Sequence, residues 1–320
     1  MENSREFTEK YSPLLGYWIP GGIINEKPKF VIHEIKGVCR YCNLEIPKTT
    51  FKKIAHPIPE FLGNRLYHSK SECDRCNEYF DQNLENHFAN YLGIERTLTG
   101  TKGKNGIPTF HQNDKKLFVR EDGHKKMLVG IDTSGKNVEI DLEKKLIEFT
   151  TVRPPYVPYA VFKCLVKIGF SLLRQDFLTK IESTRRFLMD PSLEKNGGVF
   201  IPRVYSYYIK NATDDVMIEV FQRKDIQDRT IPFLIIRIFL RYHFFQSSIP
   251  NFEYDNHELS MDVLCPGMEI TRPEILDLYG KSIVKDSVQK QTMRFEGFQS
   301  EVPLEQNRLL KYLNRKEGNR

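Results

Sequence analysis

Cys39-Arg-Tyr-Cys42, Phe51-Lys-Lys-Ile-Ala-His56-Pro-Ile-Pro59 and Cys73-Asp-Arg-Cys76-Asn77 are the three stretches from which the rest of the chain is read. A two-residue spacer lets a tight turn place both sulfurs of a pair on one ion, and four thiolates close a tetrahedral zinc shell. Thirty residues separate Cys42 from Cys73, more than in a simple paired-knuckle site, so the interval is expected to be a structured excursion. Within it a strand is expected over Thr49–His56, with His56 at its end. After Cys76 a helix is expected, with Asn77 at its start. Phe80, Leu84, Phe88, Tyr91 and Leu92 recur at helical spacing as far as Gly93, which marks one apolar face and a stop. On such a helix Asn77 and Asp81 are four apart and share a face. That spacing suits two oxygen ligands of one hard cation.

The order of Cys pair, strand ending in His, loop, second Cys pair with Asn, and helix resembles the HNH endonucleases, also called the ββα-metal nucleases. It is most similar to their zinc-bearing branch, which includes the phage Holliday-junction resolvases. The resemblance covers Val38 to Leu92, about 55 residues. It implies an endonuclease that hydrolyses phosphodiester bonds in DNA, with RNA left open as a substrate. By position His56 takes the general base, a role suited to a group whose ordinary pKa lies near 6.5. Asn77 takes the last ligand of a catalytic magnesium or manganese ion, because an amide oxygen is a hard donor. Asn64, in Leu62-Gly63-Asn64, is the nearest match to the family's central Asn, which holds the loop and orients the base. The Cys39, Cys42, Cys73 and Cys76 zinc is then structural.

Two features depart from the family pattern. The acid that precedes the base His is Ala55 here, and Asp81, then Glu60, are the candidate replacements. The central Asn is also only loosely in place. Plain readings compete at each position: His56 as a buried histidine on a backbone carbonyl, Asn77 as a helix N-cap, His68 as an exposed loop residue. A catalytically inactive, zinc-stabilised nucleic-acid-binding module is the alternative function.

The chain has 320 residues, 40% hydrophobic and 28% charged, the composition of an ordinary globular protein with about two domains. A net charge of +6 and a pI near 8.8 permit nucleic-acid binding without requiring it. Four of the six cysteines lie in the knuckles, while Cys164 and Cys265 stand alone among apolar residues. That usage fits a reducing compartment. With a polar start and no apolar run of membrane length, the expected location is cytoplasmic. The organisation is also compatible with an effector in bacterial or phage defence whose second domain senses a protein partner or small ligand.

In chain order, residues 1–37 read as a lead-in, with a strand at Phe30–Ile35 and with Tyr17 and Trp18 packing on the nuclease domain. Residues 38–152 read as the nuclease domain. From Arg96 to Lys126 eight Lys or Arg face three acids among glycines, a loop in which Lys102, Lys104, Lys115 and Lys116 are candidate phosphate contacts. A hairpin is expected over Asp132–Thr150, turning at Ser134-Gly135-Lys136. Arg153-Pro-Pro-Tyr-Val-Pro158 ends regular structure and opens an α+β domain over 153–288. That domain has helices at Tyr159–Leu173 and Asp176–Met189 and a strand around Met217. A second strand is expected over Ile231–Phe245, with Arg237, Arg241 and His243 on its exposed face. Residues 289–320 read as a polar tail with a short helix at Leu304–Leu313. The fold class expected is α+β: a ββα-metal unit stapled by four cysteines, followed by the α+β domain.

Overall fold

The computed structural model describes residues 2–21, 27–31, 34–112, 117–121, 127–131, 137–141, 143–189, 202–209, 215–256, 264–265 and 273–294. Lys115, Lys116, the turn at 134–136 and the helix at 304–313 lie outside the described residues. The chain forms two compact units that interleave in sequence: residues 1–89 with 156–283, and residues 90–155 with 284–320. One change of unit, between Pro155 and Tyr156, falls inside the proline run. Otherwise the partition differs from a linear one at 37/38, 152/153 and 288/289.

The first unit is built on one antiparallel sheet. Its strands are β1 (Tyr11–Ile19), β2 (Val204–Tyr208), β3 (Val216–Arg223), β4 (Leu234–Leu240), β5 (His243–Ile249) and β6 (Glu274–Leu276), in the order β1-β3-β4-β5-β2-β6. The expected lead-in is therefore a structural strand, since β1 pairs with β3 from Tyr11 opposite Arg223 to Ile19 opposite Val216. Helix α1 (Glu2–Lys10) precedes it and sends Phe7 into a cluster with Tyr11, Tyr205, Phe221 and Ile235 on one face of the sheet. Tyr17 meets Tyr67 edge-on, 4.9 Å between centroids, whereas Trp18 is 53% exposed instead of packed.

The run Ile231–Phe245 is a hairpin and not one strand. Leu240 pairs with His243 across the two-residue turn Arg241-Tyr242, where Arg241 adopts φ 62°. Both parities of β4 are buried because both faces of the sheet are covered. Arg237 is accordingly not a free surface cation: its Nε donates to Glu219 Oε2 at 2.7 Å on the neighbouring strand. His243 is 2% exposed and shares a hydrogen bond with Ser206 Oγ at 2.6 Å.

Four helical pieces position the site. Helices α2 (Asp74–Phe80) and α3 (Asn86–Leu92) are joined by a π-helical segment, Asp81–Glu85. The stripe Phe80, Leu84, Phe88, Tyr91 and Leu92 is buried along them, and Gly93 ends the run at φ 54°. Helix α4 (Pro158–Leu172) begins with Pro at its first position, where the missing N–H costs nothing. All fifteen of its residues are buried. A helix buried on every side is packed between two layers: here β3, β4 and β5 on one side and the π-helical segment on the other. The expected second helix is broken into Gln175–Leu178 and Glu182–Met189.

The second unit contains two small antiparallel sheets. One holds Phe110–His111 and Leu117–Glu121, within the expected Arg96–Lys126 loop, and Met127–Ile131 just after it. The other joins Val138–Asp141, Leu146–Val152 and Val288–Arg294. Residues 289–294 are thus a strand and not tail. Its buried positions are Gln289 and Gln291, whose amides donate to Glu95 Oε1 at 2.8 and 3.0 Å. Lys104 is exposed on the turn closed by the Gly103–Gly106 bridge, and Lys102, also exposed, just precedes it.

Candidate functional site

The two cysteine pairs meet. The Sγ atoms of Cys39, Cys42, Cys73 and Cys76 lie within 4.8 Å of one another, with Cys42 and Cys73 3.7 Å apart. Three of the thiols are buried and Cys42 is half-buried. A hydrogen bond from Cys76 holds the Cys39 thiol well below its ordinary range, and Cys76 is in turn pushed up by that bond. Four sulfurs this close cannot all ionise unless a cation stands among them. The donor set fits zinc, and four thiolates leave no position for water.

The first knuckle is also built into the core. Arg40, 1% exposed, donates from Nε to Ser71 Oγ at 2.9 Å and from Nη1 to the carbonyls of Phe170, Ser171 and Leu173. Those are carbonyls at the C-terminal end of α4, where the helix runs out of its own amide donors; the Phe170 carbonyl also accepts from the Leu173 amide at 3.4 Å. Tyr41 adds a 2.5 Å hydroxyl contact to Ser171 Oγ, and Arg185 Nη1 donates to the Tyr41 carbonyl at 2.7 Å.

Cys73 stands at the N-cap of α2, and the Asn77 amide donates to the Cys73 carbonyl at 2.9 Å. Asn77 is therefore one turn inside the helix and is not its cap. Asp74 does the joining at this end. Its carboxylate accepts from Thr50 Oγ1, from the Lys52 amide at 3.1 Å and from the Lys53 amide at 2.8 Å. Burial works against the Asp74 charge, but these bonds outweigh it and hold the carboxyl below its usual range. The segment expected as a strand, Thr49–His56, is instead an irregular extended loop pinned by Asp74 and by one bridge, Ala55 with Ser69. Those side-chain bonds take the place of the expected ladder.

Asn64 is fully buried and uses its whole amide inside the loop after His56. Nδ2 donates to the carbonyls of Ile58 at 2.7 Å and Tyr67 at 2.9 Å, while Oδ1 accepts from the amides of Leu66 at 3.1 Å and Tyr67 at 2.8 Å. Two donors and two acceptors exhaust a carboxamide, so the Asn64 amide is spent on shaping the loop. Asn64→Ala strands several buried backbone groups and is expected to cost on the order of 1–3 kcal/mol in a denaturant melt.

His56 has two close companions. Glu60 Oε1 lies 3.9 Å from Nε2, and the His68 ring packs edge-on with centroids 4.9 Å apart. Its main-chain carbonyl accepts from Lys167 Nζ at 3.1 Å, and the same ammonium pairs with Glu85 at 2.9 Å and Glu72 at 3.6 Å. Burial opposes the Lys167 charge, but the two glutamates outweigh it and hold the lysine protonated above its ordinary range. Lys167 and Arg40 escaped the sequence reading. The available signal for Lys167 was a cation between Cys164 and Ile168 on an apolar helix.

Of the two carboxylates considered for the acid missing at Ala55, Glu60 is the one beside His56. Asp81 opens the π-helical segment as an exposed residue. Among the described residues the four thiols are the group of His, Cys, Asp or Glu gathered closely enough to hold an ion.

Burial lowers the His68 pKa, with the Glu60 charge opposing it. The fold thus favours neutral His68. Its contribution is complete above the unfolded value near 6.5 and is lost as pH falls through the lower folded value. An imidazole NMR titration should place the His68 midpoint below 6.5, and a midpoint above that would contradict the assignment.

Residues 39–92 match a family model described as HNH endonuclease. With the thiol cluster at its two Cys pairs, this segment is an HNH domain carrying a site fit for zinc. Neither the comparison with curated proteins nor that with solved structures returns a match. No helix among the described residues is long and apolar enough to cross a membrane.

Proposed function

We propose that the protein is an endonuclease that hydrolyses phosphodiester bonds in DNA, with His56 as its general base. One observation carries this reading: within the HNH segment, His56 stands against the Glu60 carboxylate on a loop clamped by Asn64, Asp74 and Lys167. The neutral imidazole takes a proton from water as that water forms its bond to phosphorus, the P–O3′ bond breaks, and the departing 3′ oxygen takes a proton from solvent. Glu60, 3.9 Å from Nε2, favours the imidazolium that forms. HNH nucleases commonly use a divalent metal, so magnesium and manganese are the ions to supply. Asn77 and Asp81 are the proposed helix-borne oxygens for such an ion, with Glu60 beside His56 as the nearer carboxylate. Lys102 and Lys104 are proposed phosphate contacts, and neutralising both should flatten the salt dependence of binding. An effector role in antiviral defence is compatible with this activity.

Supercoiled plasmid, linear duplex, single strands, branched DNA and RNA, each with and without magnesium or manganese, test the proposal. Ion-dependent cleavage of DNA is the expected result. No product from any substrate with either ion would favour the second reading, a zinc-stabilised binding module without catalysis. Its specific support is Ala55, a buried methyl in the bridge to Ser69 at the position of the family's acid.

A further inference from the structure

Beside the His56–His68 pair the first unit carries a groove of about 630 Å³ with largely apolar walls. Phe30, Ile46 and Ile54 line it and are 45%, 62% and 63% exposed. Scattered exposed apolar side chains need no explanation, but three around one cavity mark a binding surface. Lys36, Lys52 and Lys70 stand among them, with Lys70 Nζ only 3.6 Å from the centroid of the Phe30 ring. Glu72 also lines the groove, but it is buried and ion-paired to Lys167. His68 closes the end nearest His56, its ring 6.0 Å from Phe30 and 4.9 Å from His56.

The two chemistries of this groove select its occupant. Lysines alone would suit the outside of a duplex, which presents phosphate and sugar. Apolar and aromatic walls gain nothing from that surface. An unpaired nucleotide offers both partners at once, a base face for Phe30 and the isoleucines and flanking phosphates for the lysines. We propose that the groove holds an unpaired nucleotide of the substrate strand next to the phosphate at His56, so that the substrate class is single-stranded or locally unpaired DNA. This rests on the nuclease reading above for the role of His56. The groove supplies the preference.

The test uses full-length, zinc-loaded His56→Ala protein, so that turnover does not obscure binding. Fluorescence anisotropy compares one oligonucleotide sequence as a single strand, a perfect duplex and a duplex with a central unpaired bubble. The single strand and the bubble should bind about 10-fold or more tighter than the duplex at equal salt, as base stacking adds to phosphate contact. Phe30→Ala and Ile54→Ala, both at exposed positions, should each lose most of that advantage and leave duplex affinity unchanged. Zinc content and melting confirm that these variants fold. Equal affinity for all three forms would overturn the proposal, as would a Phe30→Ala variant that keeps the preference. The unsubstituted protein is then assayed for cleavage on the same three forms. Cutting without preference for unpaired DNA refutes the groove and spares the nuclease reading. Preferential binding without cutting, with magnesium or manganese present, does the reverse.

Discussion

Removing zinc, by chelation or by Cys73→Ser, is expected to unfold the first unit as a whole instead of loosening a surface module. Elemental analysis should find one zinc per chain in protein purified without chelator. The residues between the first two thiols explain the size of the effect. Arg40 satisfies carbonyls at the end of α4, and Tyr41 packs its hydroxyl on Ser171 of the same helix. Helix α4 in turn lies against three strands of the sheet and against the π-helical segment that follows α2. Once the thiolates separate, a buried guanidinium and the end of a fully buried helix lose their partners together. Structural zinc contributes about 10–16 kcal/mol of apparent binding free energy in zinc-finger peptides, comparable with the whole stability of a typical domain, about 5–15 kcal/mol. A circular-dichroism melt should therefore lose its main transition after chelation. Zinc-free protein with an unchanged melt would rule this out.

The second large effect is on rate. His56→Ala should reduce cleavage by roughly 10²- to 10⁴-fold, the usual contribution of a positioned acid–base group. Zinc content, melting and DNA affinity should stay near those of the unsubstituted protein. The reason lies in which atoms hold the loop. Lys167 binds the His56 carbonyl and not its ring, so the substitution removes the imidazole and keeps the tether. Affinity comes mostly from phosphate contacts elsewhere. Lys167→Met makes the useful contrast, because it leaves Glu72 and Glu85 without their shared cation. Breaking a buried pair in this way costs about 3–5 kcal/mol, so that variant should lose stability along with activity. Asn77→Ala should be partly rescued by more magnesium if its defect lies in ion binding. Cleavage by His56→Ala at the unsubstituted rate would end the general-base assignment.

Features encoded over a few residues could be read without any structure. The two C-x-x-C pairs, the stripe from Phe80 to Leu92 with its stop at Gly93, and helix α4 behind its prolines each follow from spacing, which is local. Where side-chain bonds replaced the ladder the reading failed: Asp74 and Asn64, not strand pairing, shape the loop around His56. Polar burial was equally hidden, since Gln289 and Gln291 look like tail until Glu95 receives their amides. The largest gap was in partnership. Tyr11–Ile19 pairs with Val216–Arg223 across some two hundred residues, and no hydropathy pattern names a strand's neighbour. Likewise Arg40 and Lys167 look like surface cations in the sequence. They are buried because three carbonyls and two carboxylates, brought together only by packing of α4, compensate their desolvation. Local spacing thus picked out the four clustered thiols, and the family resemblance pointed to His56 as candidate base, while the tertiary structure decided which distant groups hold them in place.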